Sequence, residues 1–196
     1  MVKKLEANME IEYKFWAGDV TKQEFQAILE SAIGKQYEPF YVCSCDDYYT
    51  NNSQESFLRY RKGGQVTELT LKQKRDGNVV RKEINLDMTN NDDSSVVEFL
   101  HLSGYEKTFS VFKEAWIWDF EDCDVSYYIL SDGRAVVELE ALKYDDKEEG
   151  IAIIDKWANK LKCENLTRET RSLFEIFTQE MEKSQQSCKL QNCGKI

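Results

Sequence analysis

The chain has 196 residues, a formal net charge of −10, and 41% hydrophobic and 32% charged residues. This length suits a single domain, and the acidic balance argues against general nucleic-acid binding. No apolar run is long enough to span a bilayer, and the first six residues lack the apolar segment of a signal peptide, so we expect a cytoplasmic protein without a membrane partner.

The first predicted element is a strand over 9–15 that alternates charged and apolar residues. Alternate residues of a strand point to the same face, so Glu10, Glu12 and Lys14 share one face. Adjacent carboxylates repel each other unless a cation lies between them. Lys14 supplies one positive charge, and a divalent ion can supply more. The alternative interpretation is a solvated edge strand whose charges bind nothing.

A capping box at Thr21 then predicts a helix that ends near Gly34. Strands follow over 38–50, 57–62, 66–74 and 79–88, and their tight turns indicate antiparallel pairing. Between residues 59 and 83 the chain carries eight basic and three acidic residues, a local charge of +5. If these side chains face inward, they form a cationic lining suited to phosphate. The alternative is that they face outward and only solubilise the sheet.

The second half predicts a helix from Asp92 to near Gly104, and strands over 109–120, 123–130 and 135–142. Helices are predicted from Asp145 and from Thr167. From Ser184 the composition predicts a disordered polar tail over 184–196, which leaves one domain over 1–183. Roughly eight strands and four helices result. We therefore expect an α+β protein in which an eight-stranded antiparallel barrel with a polar interior is flanked by helices.

A second pair of alternating carboxylates, Glu138 and Glu140, lies in the last strand, with Asp122 and Asp124 upstream. Hard ions such as Mg²⁺ or Mn²⁺ take carboxylate oxygens and water as ligands. One His and no C-x-x-C pair make a zinc site improbable, and we expect the six cysteines to be free thiols. Acidic strands that hold a metal, opposite basic strands that hold phosphates, indicate a polyphosphate site.

These motifs, in this order, resemble the CYTH superfamily, also called triphosphate tunnel metalloenzymes. The first strand is similar to the E-x-E-x-K signature of that superfamily. The later matches cover most of the chain from about residue 9 to 161: Asp46-Asp-Tyr-Tyr49 (D-x-Y-[FY]), Leu58-Arg-Tyr-Arg61 (L-R-x-R), Leu69-Thr-Leu-Lys72 (L-T-x-K), Arg81 with Glu83 (R-x-E), and Val137-Glu-Leu-Glu-Ala141 (E-x-E).

The resemblance implies an eight-stranded tunnel that binds a triphosphate and Mg²⁺ or Mn²⁺. It implies that Lys14 and Tyr48 are catalytic and orient the attacking water. The implied phosphate-binding residues are Arg59, Arg61, Lys72, Lys74, Arg81 and Lys113. The implied metal-site carboxylates are Glu10, Glu12, Asp124, Glu138 and Glu140.

The sequence departs from the superfamily pattern at two positions. Ala115 stands where an Arg is often found, and loss of one phosphate Arg corresponds to roughly 10²- to 10³-fold in rate. The spacing before the last E-x-E is irregular, so either Asp122 or Asp124 can be the metal-site Asp.

Three candidate functions follow, and we expect a monomer or homodimer with a small-molecule triphosphate substrate. The first is a metal-dependent hydrolase of tripolyphosphate, nucleoside triphosphate or thiamine triphosphate. The second is a class IV adenylyl cyclase that makes cyclic AMP from ATP. The third is a nucleotide- or polyphosphate-binding protein without turnover, which the departure at Ala115 allows.

Overall fold

The computed structural model describes residues 9–52, 55–64, 67–73 and 80–193, with only the backbone described at 80, 81 and 185–193. The elements of this part of the chain are, in order, β1 (Met9–Trp16), α1 (Lys22–Ile33), β2 (Phe40–Thr50), β3 (Ser56–Lys62), β4 (Glu68–Gln73), β5 (Val80–Asp87), α2 (Asp93–Leu102), β6 (Glu106–Asp119), β7 (Cys123–Leu130), β8 (Ala135–Ala141), α3 (Lys147–Lys160), a short 3₁₀ helix (Cys163–Asn165), β9 (Thr167–Glu169) and α4 (Leu173–Cys193).

Eight of the strands form a closed antiparallel barrel in the order β5-β4-β3-β2-β6-β7-β8-β1. Closure depends on β1, which pairs with β8 along one edge and with β5 along the other. The β5 pairing covers only Met9–Ile11, and the short β9 pairs with Lys14–Trp16 farther along the same edge. The predicted α+β fold with an eight-stranded tunnel is therefore confirmed, with β9 as an additional strand.

Helices cover the outer face of the barrel where the strands present apolar side chains. Ile11 and Phe15 point away from the charged face of β1 and pack in one core cluster with Phe25 of α1 and Trp157 of α3. The predicted capping box is present at Thr21, and Gly34 ends α1 in a left-handed conformation. The alternation of β1 thus separates a polar interior from an apolar layer beneath the helices.

The first turn of α4 closes one end of the barrel. Leu173, Phe174 and Ile176 join an apolar cluster with Tyr48 and Phe57. The rings of Phe174 and Phe57 are stacked with centroids 4.3 Å apart. The apolar side chains of this first turn therefore fill the end of the barrel.

The predicted helical start at Thr167 is wrong. Thr167–Glu169 forms β9 on the edge of β1, and α4 begins only after Ser172. Ser172 and Glu175 form a reciprocal capping interaction: the backbone N–H of Glu175 donates to Ser172 Oγ, and the backbone N–H of Ser172 donates to Glu175 Oε2. The backbone of α4 is helical to Cys193, past the predicted domain boundary at Ser184. The extent of the domain, 1–183, stays a prediction.

Candidate functional site

A cavity of about 310 Å³ lies inside the barrel. Lys74 lies outside the described residues, and of Arg81 only the backbone is described, opposite Glu10 in the β1–β5 ladder. The cavity brings together the other predicted site residues: Glu10, Glu12, Lys14, Tyr48, Arg59, Arg61, Lys72, Lys113, Asp124, Glu138 and Glu140.

The two signs of charge come from opposite arcs of the barrel. In a closed ring of eight strands, β3 is four strands away from β8, and β4 is four strands away from β7. The inner side chains of β3, Arg59 and Arg61, therefore lie across the lumen from Glu138 and Glu140 of β8. Arg59, Arg61 and Lys72 all line the cavity. For these three residues, the alternative that the basic side chains face outward and only solubilise the sheet is therefore excluded.

Three carboxylates form one row across neighbouring strands. Glu12 of β1 is the register partner of Glu140 of β8, and Glu140 is the partner of Asp124 of β7. Side chains directly opposite each other have Cβ atoms about 5 Å apart, and like charges in such pairs are destabilising. Burial and the neighbouring carboxylates Glu10, Glu12 and Glu138 accordingly raise the pKa of Glu140 to about 8. Burial, with Asp119, also raises the pKa of Asp124.

This row has the donor chemistry of a site for a hard divalent cation. Asp124 Oδ1 is buried and has no hydrogen-bond partner in the described part of the chain. Each oxygen of the row is a ligand type that Mg²⁺ or Mn²⁺ accepts. Among the described residues, no three acidic, thiol or imidazole groups are arranged to coordinate an ion as they stand. Two lysines, Lys14 and Lys72, instead contact Glu12 of the row and the carboxylates around it.

Lys14 lies between two carboxylates. Its Nζ is 3.1 Å from Glu12 Oε1 and 2.9 Å from Glu138 Oε2, and Lys14 is almost fully buried. The hydroxyl of Tyr128 donates to the same oxygen of Glu138 at 3.1 Å. Burial and the nearby charge of Glu138 raise the pKa of Tyr128 well above its ordinary value, so the hydroxyl keeps its proton. Two donors therefore fix the orientation of Glu138.

On the opposite arc, Asp46 pairs with the cations around it. Arg61 donates to both of its oxygens, at 2.7 and 2.9 Å, and Lys113 Nζ lies 3.4 Å from Oδ2. Burial alone would raise the pKa of Asp46, but Lys113 and Arg61 lower it far below its ordinary range. Burial and the neighbouring guanidinium of Arg61 lower the pKa of Lys113 to about 8. This group of cations is therefore only partly neutralised by Asp46.

Lys72 joins the two arcs near the β1–β5 closure. Its Nζ is 3.0 Å from Glu10 Oε1 and 2.6 Å from Glu83 Oε2. Burial raises the pKa of Glu83, and the nearby Glu10 adds to this effect while Lys72 opposes it. Lys72 therefore compensates two buried carboxylates at once.

Tyr48 lies at the closed end of the cavity, where its ring is within 5–6 Å of Phe57, Phe109 and Phe174. Its catalytic role stays a prediction. Of the two predicted candidates for a metal-site Asp, Asp124 lines the cavity. Asp122 instead accepts hydrogen bonds from Lys156 at 2.9 Å and from Trp157 Nε1 at 3.0 Å of α3, outside the barrel.

Several cavity residues were not predicted. Glu68 forms an ion pair with Arg59 at 2.8 Å, and the Tyr128 hydroxyl donates a hydrogen bond to Glu138. Strand alternation would have found both, because Glu68 is in phase with Lys72 and Tyr128 is in phase with Asp124. Ala115, where the superfamily pattern has an Arg, does face the cavity. The lumen therefore has one fixed cation fewer at that position.

No protein-family model matches the chain, and comparison with curated proteins gives no match. Solved structures do match. A candidate adenylate cyclase from Vibrio parahaemolyticus has 17% identity and a TM-score of 0.69, covering 88% of this chain and 99% of that one. A conserved hypothetical protein from Pyrococcus furiosus has 20% identity and a TM-score of 0.68, covering 85% and 98%. A chain of the Schizosaccharomyces pombe Mediator head module has 15% identity and a TM-score of 0.53, covering 81% and 94%.

These likenesses are to the fold. The chain has the closed eight-stranded antiparallel tunnel fold that its resemblance to the CYTH superfamily implied. The Mediator likeness shows that the same barrel also occurs in a chain of a large assembly, so the fold alone does not fix an activity. None of the described helices combines the length and the apolar composition needed to cross a bilayer.

Proposed function

We propose that the protein is a divalent-metal-dependent hydrolase of a triphosphate. One observation carries the proposal: a single enclosed lumen presents Arg59 and Arg61 on one arc and the carboxylate row of Glu12, Glu140 and Asp124 on the opposite arc. A phosphate chain needs cations along its oxygens, and its bridging ion needs carboxylates.

The arginines and Lys113 would bind the phosphate oxygens and stabilise the charge that develops during transfer. Glu12, Glu140 and Asp124, with Glu10 and Glu138, would hold the divalent ion. That ion, when bound, supplies charge neutralisation and activates water. Lys14, fixed between Glu12 and Glu138, would orient the attacking water together with Tyr48. The end closed by α4 excludes bulk solvent from that side of the lumen.

The likeness to candidate adenylate cyclases favours a second function, in which the ribose 3′-hydroxyl of ATP attacks the α-phosphorus and pyrophosphate leaves. Both reactions would use the same lining. They differ in the phosphorus that meets the nucleophile, and therefore in their products.

Product analysis tests these functions. The protein is incubated with ATP, tripolyphosphate or thiamine triphosphate, each with Mg²⁺ or Mn²⁺. Orthophosphate release supports the hydrolase, cyclic AMP with pyrophosphate supports the cyclase, and tight binding without either product supports a binding protein. Arg59→Gln should lower turnover about 10²- to 10³-fold. The control is Lys62→Gln on the same strand, because Lys62 pairs with Asp47 on the outer face, and it should keep wild-type turnover.

A further inference from the structure

One part of the cavity wall carries no charge. Its side chains come from three adjacent strands, β2, β6 and β7, and we call it the uncharged panel: Val42, Ser44, Ala115, Ile117 and Ser126. Val42 is the register partner of Ala115, and Ile117 is the partner of Ser126, so the panel is continuous across the sheet. A ligand that was charged along its whole length would gain nothing from this part of the wall.

The panel runs from the interior of the barrel to the end opposite α4. Ser44 and Ala115 are 4% and 5% exposed, whereas Val42, Ile117 and Ser126 are half-buried. Next along β2, and in phase with Val42, is Phe40, which is 59% exposed and is the register partner of Ile117. An exposed aromatic side chain therefore stands at the outer end of the uncharged panel.

Ser44 supplies an independent sign of a ligand. Its hydroxyl is buried within the cavity wall and has no hydrogen-bond partner in the described part of the chain. Buried polar groups are nearly always satisfied, and leaving one without a partner is unfavourable. A ligand hydroxyl at the panel would satisfy it. Small apolar side chains interspersed with two serine hydroxyls suit the C–H faces and hydroxyls of a sugar.

We propose that the uncharged panel and Phe40 bind the nucleoside of a nucleoside triphosphate, with the sugar on the panel and the base stacked on Phe40. This inference rests on the proposed function, since the phosphates must lie between the charged arcs. Stacking on one aromatic ring tolerates every base. The aromatic residues that line the described cavity itself, Tyr48, Phe57, Tyr128 and Phe174, are all buried in the cluster at the closed end. The protein should therefore accept the four bases alike and prefer them to tripolyphosphate.

The first experiment compares kcat/KM for ATP, GTP, CTP, UTP and tripolyphosphate. We expect the four nucleotides to agree within about threefold and each to exceed tripolyphosphate. Phe40→Ala should lower the ratio of kcat/KM for ATP to kcat/KM for tripolyphosphate about tenfold or more. The matched control is Phe112→Ala, because Phe112 is 57% exposed on the adjacent strand but lies on the outer face. A wild-type preference for tripolyphosphate, or the same ratio in both variants, would overturn the proposal.

A second pair of variants changes charge instead of stacking. Ala115→Arg places a cation on the panel and should move the preference about tenfold toward tripolyphosphate. Cys43→Arg adds the same charge at an exposed position of β2 and should leave the ratio unaltered. Titration calorimetry of ATP and tripolyphosphate with Ca²⁺ gives the same comparison without turnover. Absence of hydrolysis would refute the proposed hydrolase activity, but tighter binding of ATP than of tripolyphosphate would still support the nucleoside site. Equal affinities for ATP and tripolyphosphate would overturn the nucleoside site.

Discussion

The buried carboxylate of Asp46 allows a direct test of the ligand-binding role of the tunnel. We consider Asp46→Asn, which removes the charge but keeps the shape of the side chain. Asp46 is 0% exposed and pairs with Arg61 at 2.7 and 2.9 Å and with Lys113 at 3.4 Å. The variant leaves two partly buried cations, Arg61 and Lys113, without their counter-charge.

The structure sets the size of the expected loss. Removing one partner of a buried ion pair destabilises a protein by about 3–5 kcal/mol. Asn keeps an acceptor for Arg61, so we expect about 3 kcal/mol. In a chain of this size, 1 kcal/mol corresponds to about 2–4 °C in Tm, which gives a loss of about 6–12 °C without ligand.

The assay is thermal unfolding with and without tripolyphosphate. In the wild type, a phosphate must compete with Asp46 for Arg61 and Lys113, whereas in Asp46→Asn it meets no competitor. Tripolyphosphate should therefore bind the variant more tightly and close at least half of the Tm difference.

Asp47→Asn is the matched control. Asp47 is the next residue of β2, is 2% exposed, and pairs with Lys62 at 2.8 Å and Lys107 at 2.7 Å, but it lies on the outer face of the barrel. It should lose less stability, because Lys62 and Lys107 are 33% and 47% exposed and stay hydrated, and tripolyphosphate should not restore that loss. If the ligand restores both variants equally, or neither, Asp46 has only a structural role and our account of the cationic arc is wrong.

Three further predictions concern the carboxylates and the closed end. The pKa of Glu140 is about 8 in the folded protein against an ordinary 4.5, so between these pH values the folded state holds a proton that the unfolded chain has released. Without divalent ions, the free energy of unfolding measured by urea titration should therefore fall as the pH rises from 4.5 to 8. The same titrations of Glu140→Gln should show a weaker dependence of this free energy on pH. Glu138→Gln should abolish metal-dependent turnover. Its thermal unfolding, followed by circular dichroism, should stay cooperative because Glu12 still compensates Lys14. Loss of the cooperative thermal transition would show that Glu138 has a structural role. Ser172→Ala removes the cap of α4 and should lower Tm by about 2–4 °C in calorimetry, and no change would contradict the capping interaction.

Strand alternation made most of the lumen predictable from the sequence. A period of two is fixed by the backbone itself, so Glu10, Glu12 and Lys14 had to share a face whatever packed around them. The sign reversal between residues 59 and 83 then indicated which strands carry the cations. The register that sets Glu12 opposite Glu140 and Asp124 is a long-range property, and it could not be obtained from local patterns.

The features that the sequence did not predict have specific physical reasons. The S-x-x-E pattern of Ser172 and Glu175 was present, but the apolar period beginning near Thr167 hid it. The β9 segment is held at the edge of β1 by its backbone pairing with Lys14–Trp16 and by Glu169, which accepts a hydrogen bond from Trp16 Nε1 at 3.1 Å. Such long-range contacts override local helical preference. Of the uncharged panel only Ala115 gave a signal, as a departure from the superfamily pattern, because Val42 and Ile117 are ordinary strand residues until they face a charged lumen.

The charge pairs inside the tunnel make ligand binding an exchange of partners. Arg61 with Asp46, Lys72 with Glu10 and Lys14 with Glu138 are already paired without a ligand, so a triphosphate and its ion must separate these pairs to bind. If an anion alone bound the basic residues, their partner carboxylates would lose their counter-charges and repel each other. If a cation alone bound the carboxylates, the basic side chains would likewise be left to repel each other. Binding of either one therefore favours binding of the other, and this reciprocal coupling is a property of the lining residues rather than of the fold. Affinity for tripolyphosphate should consequently rise with divalent ion concentration in calorimetry, and equal affinity with and without the ion would contradict the assignment of the two arcs.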